Sequence, residues 1–271
     1  MPELPEVETT RRGLAPHLAD HRILHVRVFD ARLRWPIDPA LARQLRGQRI
    51  RRVGRRAKYL LLELERGTLI LHLGMSGNLR VLTGSAPRLA HDHVEWQLDS
   101  GQLLRFNDPR RFGCCIYTTA APELHPLLRR LAPEPFDASF SADYLHHITR
   151  GRRTAIKQLV LNGRLVTGVG NIYASEALFR ARIRPRRPAR SLNALECRAL
   201  HRAIVTVLGN AVRAGGTTLR NYVNAEGSPG YFRQELSVYE RGGKPCRRCG
   251  TPIKHLVQGQ RSTYYCSSCQ E

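Results

Sequence analysis

Four cysteines near the C-terminus constrain this chain more than any other feature. They form two C-x-x-C pairs, Cys246/Cys249 and Cys266/Cys269, and residues 250–265 between the pairs are long enough for a two-stranded hairpin. Two such pairs at this spacing are typical of a zinc ribbon, in which each turn supplies two corners of a tetrahedron. Because four thiolates leave no coordination position open for a substrate, we predict one structural Zn²⁺ ion here.

The charge of the chain is the second constraint. Its 271 residues include 44 lysines and arginines against 22 acidic residues, which gives a formal net charge of +22. The basic residues are mostly arginines spread along the whole sequence, and a planar guanidinium suits phosphate groups and base edges. This distribution favours nucleic acid over a membrane surface as the partner, since membrane binders usually combine a basic amphipathic helix with an apolar anchor. A ribosomal or merely basic protein is the alternative.

The N-terminus and the cysteine count bear on the compartment. Glu3, Glu6 and Glu8 occupy positions where a signal peptide would need positive charge and an apolar core. No run approaches the roughly 20 apolar residues that span a bilayer. An odd number of cysteines, four of them in C-x-x-C pairs, favours a reducing compartment, so we expect a cytoplasmic protein that makes no membrane contact. Its basic charge would associate it with the nucleoid through DNA. Because the sequence shows no long coiled coil or obvious oligomerisation segment, we expect a monomer. The cysteines outside the zinc motif are expected to be buried or half-buried free thiols: Cys114, Cys115 and Cys197.

The hydrophobic patterning predicts that the first half of the chain is rich in strands. A short helix is predicted over residues 4–19, because Pro5 suits a first helical turn, with Pro16 as an alternative early end. Eight short runs with strand character follow, and turn residues separate them. A series of this kind indicates a β-sandwich or a barrel. The runs cover residues 22–29, 49–53, 58–64, 68–73, 78–82, 93–98, 102–106 and 114–119.

The second half of the chain has helical patterning. Asn193 and Glu196 form a capping-box pattern before a long helix, which Gly215–Gly216 should terminate. The patterning as a whole predicts an α+β protein with two domains, the second of which carries the zinc ribbon. The expected divisions are an N-terminal domain over 1–131, a linker over 132–145, a helical domain over 146–236 and a zinc finger over 237–271.

Three segments together carry a family resemblance. The N-terminal PELPEVET, the central GVGNIYASE and the cysteine ribbon occur in this order along essentially the whole chain. In combination they resemble the formamidopyrimidine-DNA glycosylases, bifunctional enzymes that remove oxidised purines from DNA. The resemblance implies an N-terminal β-sandwich with a short N-terminal helix, followed by a helical domain with a helix-two-turn-helix element and a zinc hairpin.

The resemblance assigns the chemistry to the N-terminus. If Met1 is removed, Pro2 becomes a secondary amine that can attack an anomeric carbon and form a cationic iminium, which promotes β,δ-elimination of the flanking phosphates. The family assigns this nucleophilic role to Pro2, and proton transfer at the deoxyribose ring oxygen to Glu3. Lys58 matches a lysine that reaches the lesion and assists β-elimination. Arg261 matches an arginine on the zinc hairpin that binds the phosphates at the lesion.

The resemblance also implies a set of DNA contacts. Met75, Arg110 and Phe112 match residues that fill the gap left by an extruded base, where the guanidinium can pair with the orphaned cytosine. The segment 217–230 corresponds to a loop that folds over the extruded base. Contacts to the DNA backbone are expected from His72, Lys157, Asn171 and Tyr239.

These features predict a DNA glycosylase with abasic-site lyase activity that acts in base excision repair on duplex DNA containing 8-oxoguanine or formamidopyrimidines. One alternative is a related endonuclease VIII-like glycosylase for oxidised pyrimidines, which PELPEV, Arg110 and Phe112 disfavour. The other is a non-catalytic zinc-ribbon DNA-binding protein. A retained Met1 would favour this last reading, because a blocked Pro2 cannot attack.

Overall fold

All eight runs with strand character form strands in the computed structural model, which describes residues 2–84, 86–215 and 236–271. The strands are β1 (Ile23–Val28), β2 (Ile50–Arg56), β3 (Tyr59–Leu64), β4 (Thr68–His72), β5 (Asn78–Thr83), β6 (Asp92–Leu98), β7 (Gln102–Asn107) and β8 (Cys114–Thr118). They build two antiparallel sheets, with strand orders β1-β6-β7-β5 and β2-β3-β4-β8. Residues from both sheets share one hydrophobic core, so the predicted β-sandwich is confirmed.

Helix α1 spans Leu4–Leu18 and packs against β2 and β3. It begins with a capping box, in which the backbone N–H of Glu3 donates to the Glu6 carboxylate at 2.8 Å. The prediction of a helix over 4–19 is confirmed, but Pro16 does not end it early. This proline lies in the last turn, where its missing N–H removes one hydrogen bond, and buried neighbours hold the turn on the core.

A short helix between β1 and β2, α2 (Leu41–Leu45), has no counterpart in the sequence-based prediction. Its 5 residues are too few to display a helical period. Leu41 and Leu45 are both fully buried in the core between the sheets. Trp96 and Phe106 are among the largest side chains of that core.

Among the described residues, the first compact unit comprises 2–129 and Gly215, and the second comprises Arg130–Ala214 and 236–271. The helices of the second unit are α3 (Ala142–Thr149), α4 (Ile156–Val160), α5 (Asn171–Arg180) and α6 (Ala194–Arg213). Ser141 caps α3 by accepting the N–H of Tyr144 at 3.0 Å, so the end of the segment predicted as a linker is helical. Among the described residues, no helix is long and apolar enough to cross a membrane.

Helix α6 begins and ends close to where the sequence predicted. Asn193 Oδ1 accepts the N–H of Glu196, and the Glu196 carboxylate accepts the N–H of Asn193, both at 2.9 Å. The helix ends just before Gly215, which has a φ of +79° that suits a chain leaving a helix. Gly216 and the loop predicted over 217–230 lie outside the described residues.

The predicted hairpin between the cysteine pairs consists of β9 (Lys254–Gln258) and β10 (Arg261–Tyr265). Gly259 and Gln260 connect the strands with φ values of +56° and +59°, as in a type I′ turn, whose twist matches that of a hairpin. A side chain on Gly259 would meet the Gln158 side chain at 2.6 Å. The tip of the zinc hairpin therefore lies against α4.

Candidate active site and nucleic-acid interface

Pro2 and Glu3, the residues expected to carry the chemistry, directly precede helix α1. Both are buried, and Glu3 is only 2% exposed. The capping box between Glu3 and Glu6 fixes the backbone beside the proline, so the expected nucleophile and proton carrier share one rigid support. A carboxyl group held next to an amine in this way can pass protons to and from a bound sugar.

Lys58 occupies the turn between β2 and β3. Arg56 and Tyr59 are the last paired residues of these strands, so Ala57 and Lys58 form a two-residue hairpin turn. Tyr59 packs on His72 at the end of β4, with ring centroids 4.7 Å apart. The structure therefore brings Lys58 and His72, both singled out from the sequence, to one end of the sheet.

His72 is an uncharged hydrogen-bond donor at neutral pH. Its Nδ1 accepts the N–H of Gly74 at 3.0 Å, which leaves the proton of the neutral ring on Nε2. Burial lowers the pKa of His72, and the positive charges of Lys58 and Arg34 lower it further, to about 4. A neutral imidazole N–H can bind a phosphate oxygen without changing its charge near pH 7.

Arg34 is a cation of this site that the sequence patterns did not reveal. It is exposed in the segment between β1 and α2, and its positive charge acts on Tyr59, His72 and Cys114. In the sequence it is one arginine among many, and only the fold brings it close to the end of β4. It adds a third cationic or donor group to the pair formed by Lys58 and His72.

A cluster around Glu8 joins helix α1 to strand β2. The Glu8 carboxylate accepts hydrogen bonds from Arg11, Arg12 and Arg55 at 2.8–3.1 Å. Burial alone would raise the pKa of this carboxyl group, but the three guanidinium groups outweigh that effect and hold the pKa at about 2. Glu8 therefore keeps its charge at physiological pH and ties the helix that follows Pro2 to the sheet.

Met75, Arg110 and Phe112 lie in two loops, one after β4 and one between β7 and β8. Met75 is 40% exposed and Phe112 is 44% exposed, and the Arg110 guanidinium lies 5.0 Å from the centre of the Phe112 ring. Exposed apolar side chains of this size can replace the stacking of a displaced base. A side chain on Gly74 would come within 2.6 Å of the Phe112 backbone, so the two loops are in direct contact.

Asp108 and Ser76 hold these two loops together, and neither residue was expected from the sequence to belong to the site. Ser76 Oγ donates to Asp108 Oδ1 at 2.8 Å and accepts the N–H of Arg110 at 3.2 Å. The other carboxylate oxygen of Asp108 accepts the N–H of Gly113 at 2.8 Å. The three expected wedge residues are therefore displayed by one hydrogen-bonded unit.

In the second unit, Lys157 and Asn171 converge on the zinc hairpin. Lys157 Nζ donates to the Ser262 carbonyl at 3.0 Å and to Thr263 Oγ1 at 2.7 Å, and Asn171 Nδ2 donates to the same carbonyl at 2.9 Å. Lys157 is 1% exposed, whereas Arg261 beside this anchor point is exposed. Lys157 therefore anchors the hairpin that carries Arg261, and its contact with the DNA backbone stays a prediction from the sequence.

Tyr239 belongs to a segment that a single carboxylate holds. Glu176 of α5 accepts the backbone N–H groups of Ser237, Val238 and Tyr239 at 2.8–2.9 Å. The Tyr239 ring packs edge-on against Tyr264 of β10, with centroids 5.2 Å apart. Glu176 lies within the GVGNIYASE motif, but its role becomes visible only when a segment more than 60 positions away folds onto it.

The four cysteines of the two C-x-x-C pairs form a metal site. Their Sγ atoms all lie within 4.8 Å of one another, with 4.0 Å between Cys246 and Cys269 and 3.5 Å between Cys249 and Cys266. A tetrahedral site with Zn–S bonds of about 2.3 Å places its sulfurs about 3.8 Å apart. The geometry therefore fits one structural Zn²⁺, with four thiolates as its complete ligand set.

The remaining cysteines, Cys114, Cys115 and Cys197, are buried, as predicted. Burial raises the pKa of Cys114 to about 12 and raises the pKa values of the other two thiols as well. A thiol that stays protonated is a poor nucleophile and a poor metal ligand. These cysteines contribute to packing and not to the chemistry of the site.

Family models match this chain along most of its length. The formamidopyrimidine-DNA glycosylase N-terminal domain matches residues 1–115, its H2TH domain matches 131–223, and a zinc finger found in FPG and IleRS matches 243–271. The formamidopyrimidine-DNA glycosylase of Methylococcus capsulatus is 54% identical over 270 residues, and that of Thioalkalivibrio sulfidiphilus is 56% identical over 270 residues, each covering 100% of both chains. This chain belongs to the formamidopyrimidine-DNA glycosylase family.

Solved structures of formamidopyrimidine-DNA glycosylases share this fold. MutM (FPG) from Thermus thermophilus is 42% identical and has a TM-score of 0.88, covering 99% of this chain and 98% of that chain. Lactococcus lactis Fpg in complex with DNA containing an abasic site is 33% identical and has a TM-score of 0.89, covering 100% of both chains. Members of the family are glycosylases with abasic-site lyase activity, so this chain is an enzyme of base excision repair.

Proposed function

We propose that the protein removes 8-oxoguanine and formamidopyrimidines from double-stranded DNA and cleaves the strand at the resulting abasic site, as a monomer in the cytoplasm at the nucleoid. The observation that carries this proposal is the buried Pro2–Glu3 pair at the capped start of α1. Lys58 and His72 lie together on the same unit. Relatives that are 54% and 56% identical over their whole length are named formamidopyrimidine-DNA glycosylases.

Pro2 is the nucleophile once Met1 has been removed. Its nitrogen attacks C1′ of the damaged nucleotide, the bond from C1′ to the base breaks, and the base leaves with a proton. Glu3 protonates the ring oxygen, which opens the sugar and leaves an iminium between the nitrogen and C1′. The iminium accepts the electron pair of a C2′–H bond as that proton is removed, and the 3′ phosphate leaves. A second elimination, with loss of the proton on C4′, expels the 5′ phosphate, and water then hydrolyses the iminium and frees Pro2.

Lys58 and His72 act on the phosphates around the reacting sugar. The Lys58 ammonium offsets the negative charge of a departing phosphate and assists β-elimination. The neutral His72 ring offers its Nε2–H to a backbone oxygen, and Arg34 adds a further positive charge nearby. Both eliminations release an anionic phosphate, so cations at this end of the sheet favour them.

Met75, Arg110 and Phe112 keep the duplex open while the damaged base is extruded. The two apolar side chains take the place of the missing stacking, and the guanidinium binds the orphaned cytosine. Their exposure and the contact between their loops support this role.

The second unit holds the DNA backbone. The proposed contacts are Arg261, Lys157, Asn171 and Tyr239. Lys157 and the zinc ion also fix the hairpin that carries Arg261. In this proposal residues 1–131 are the catalytic domain, 132–145 the linker, 146–236 the DNA-binding helical domain and 237–271 the zinc finger.

Borohydride trapping tests the proposal. Protein that mass spectrometry shows to lack Met1 should form a reduced covalent adduct with a duplex containing 8-oxoguanine opposite cytosine, and Pro2→Gly should form far less. Absence of an adduct with the processed protein, or undiminished trapping by Pro2→Gly, would refute the imine at Pro2. Retention of Met1 in the native protein would favour the non-catalytic DNA-binding alternative.

Oxidised pyrimidines are the second candidate substrate, because a Lactococcus lactis Fpg that is 34% identical to this chain was solved with DNA containing an oxidised pyrimidine. The two classes can be compared by measuring release of 8-oxoguanine opposite cytosine and of thymine glycol from otherwise identical duplexes. Faster release of thymine glycol would replace the purine assignment with an endonuclease VIII-like one.

A further inference from the structure

The turn that carries Lys58 contains a strained residue. Ala57 has a φ of +54° and is 3% exposed. Positions with positive φ in two-residue hairpin turns are normally taken by glycine, asparagine or aspartate. An alanine in this conformation costs roughly 1–2 kcal/mol, so contacts elsewhere must hold the turn in its shape.

Arg55 supplies such a contact and reaches helix α1 at the same time. Its Nη1 donates to the carbonyl oxygen of Ala57 at 2.8 Å, and its Nε donates to Glu8 Oε2 at 3.1 Å. The Arg55 side chain is only 12% exposed, so little water competes for these hydrogen bonds. One planar guanidinium therefore bridges the helix and the turn.

Both ends of this bridge belong to elements that carry the proposed chemistry. Glu8 lies on the helix that Pro2 and Glu3 precede, and Ala57 precedes Lys58 in the turn. The donors of a guanidinium have fixed directions in one plane. A shift of the turn relative to the helix would therefore break one of the two hydrogen bonds.

We propose that Arg55 is a positioning residue, which fixes the Lys58 ammonium relative to Pro2 by joining Glu8 to the Ala57 carbonyl. This inference rests on the proposed function of Pro2 and Lys58. Arg55 acts through the turn and not on the DNA, so its loss should slow the chemistry without weakening binding. Misplacing a reacting group by about 1 Å can cost about 100-fold in rate, and we expect a loss of about 10- to 100-fold.

A double-mutant cycle with Lys58 tests this role. Single-turnover cleavage of a duplex with an abasic site, which reports β-elimination, and binding of a duplex with an uncleavable tetrahydrofuran site are measured for the wild type, Arg55→Ala, Lys58→Ala and the double variant. Arg55→Ala should cleave about 10- to 100-fold more slowly, with its dissociation constant changed by less than about twofold. In the Lys58→Ala background the same change should slow cleavage by less than about threefold, because no ammonium is left to position.

Arg52→Ala is the matched control. Arg52 lies on the same strand and pairs with Glu63, but its side chain is 70% exposed, so this variant should cleave the abasic site at the wild-type rate. Arg55→Lys keeps the positive charge but not the planar guanidinium, so this variant should also cleave slowly. It tests the positioning role if Arg55→Ala does not fold.

Cleavage of the abasic site at the wild-type rate by a folded Arg55 variant, or effects of Arg55→Ala and Lys58→Ala that multiply, would overturn this inference and leave the proposed function standing. A wild-type protein that does not excise 8-oxoguanine would instead refute the proposed function, and the inference with it. The two failures are therefore distinguishable.

Discussion

Replacing Glu176 with glutamine perturbs the support of Tyr239 without changing the size of the side chain. The carboxylate accepts three backbone N–H groups, from Ser237, Val238 and Tyr239, at 2.8–2.9 Å. A glutamine amide has one oxygen, and its NH₂ group cannot accept a hydrogen bond. At least one of the three backbone N–H groups would therefore point at the glutamine NH₂ group, which is itself a donor.

The magnitude follows from these contacts. Leaving one buried N–H group unsatisfied costs about 1–3 kcal/mol, and the remaining hydrogen bonds weaken because their acceptor is no longer charged. The free energy for local opening of residues 237–239 should fall by about 2–4 kcal/mol in total. At about 1.4 kcal/mol per factor of ten, this corresponds to backbone amide exchange that is about 30- to 700-fold faster.

Hydrogen–deuterium exchange of a peptide covering 236–241 measures this effect. Glu240→Gln is the matched control, because Glu240 lies in the same segment and is exposed. We expect faster exchange at 237–239 in Glu176→Gln alone, together with weaker binding of lesion-containing DNA, since Tyr239 would no longer be held in place. Exchange rates equal to those of the wild type would refute the reasoning.

Further predictions concern the zinc hairpin, the DNA and pH. Removing zinc with a chelator should abolish DNA binding, because the hairpin that carries Arg261 loses its order, and retained binding after verified metal loss would contradict this. Lys157→Met removes two hydrogen bonds of a charged group, together worth about 3 kcal/mol or more, and should speed zinc loss to a chelator, whereas an unchanged rate would exclude the anchoring role. If about six phosphates are neutralised, log affinity should fall with log salt at a slope of about −5, and a nearly flat response would argue against the basic interface. Because the pKa of His72 is lowered to about 4 in the folded protein, its stabilising contribution is present above about pH 6.5 and is lost as pH falls towards 4. The free energy of unfolding, followed by tryptophan fluorescence in urea, should drop by about 2 kcal/mol more between pH 7.5 and 5 in the wild type than in His72→Asn, and equal drops would count against the lowered pKa.

The sequence predicts the regular elements of this fold wherever local patterning decides them. Each of the eight strands alternates or carries an apolar run long enough to be recognised, and the Asn193–Glu196 pattern marks the start of α6 correctly. Helix α2 was not predicted, because its 5 residues are fixed by the burial of two leucines and are too few to show a helical period. Pro16 was an ambiguous signal, since its effect depends on how firmly the last turn of α1 packs on the core.

The site was predictable only in part, for a related reason. Motif resemblance marks residues that face a substrate, whereas the residues that hold them in place are marked by contacts between distant parts of the chain. Lys157 is an example: a lysine is usually exposed, and its burial depends on a hairpin more than 100 positions away. Arg55, Asp108 and Glu176 likewise have ordinary surroundings in the sequence, and their partners become visible only in the fold.

The hydrogen bonds of Asp108 and Ser76 also bear on how fast damage can be found. Ordering the backbone of a flexible residue costs about 1–2 kcal/mol, so two unstructured loops would have to be ordered again at every base pair tested. Here the loops that display Met75 and Phe112 are already joined, and Gly74 permits their backbones to touch. If Met75 and Phe112 enter the duplex as proposed, the enzyme needs no separate folding step of these loops at each base pair that it tests.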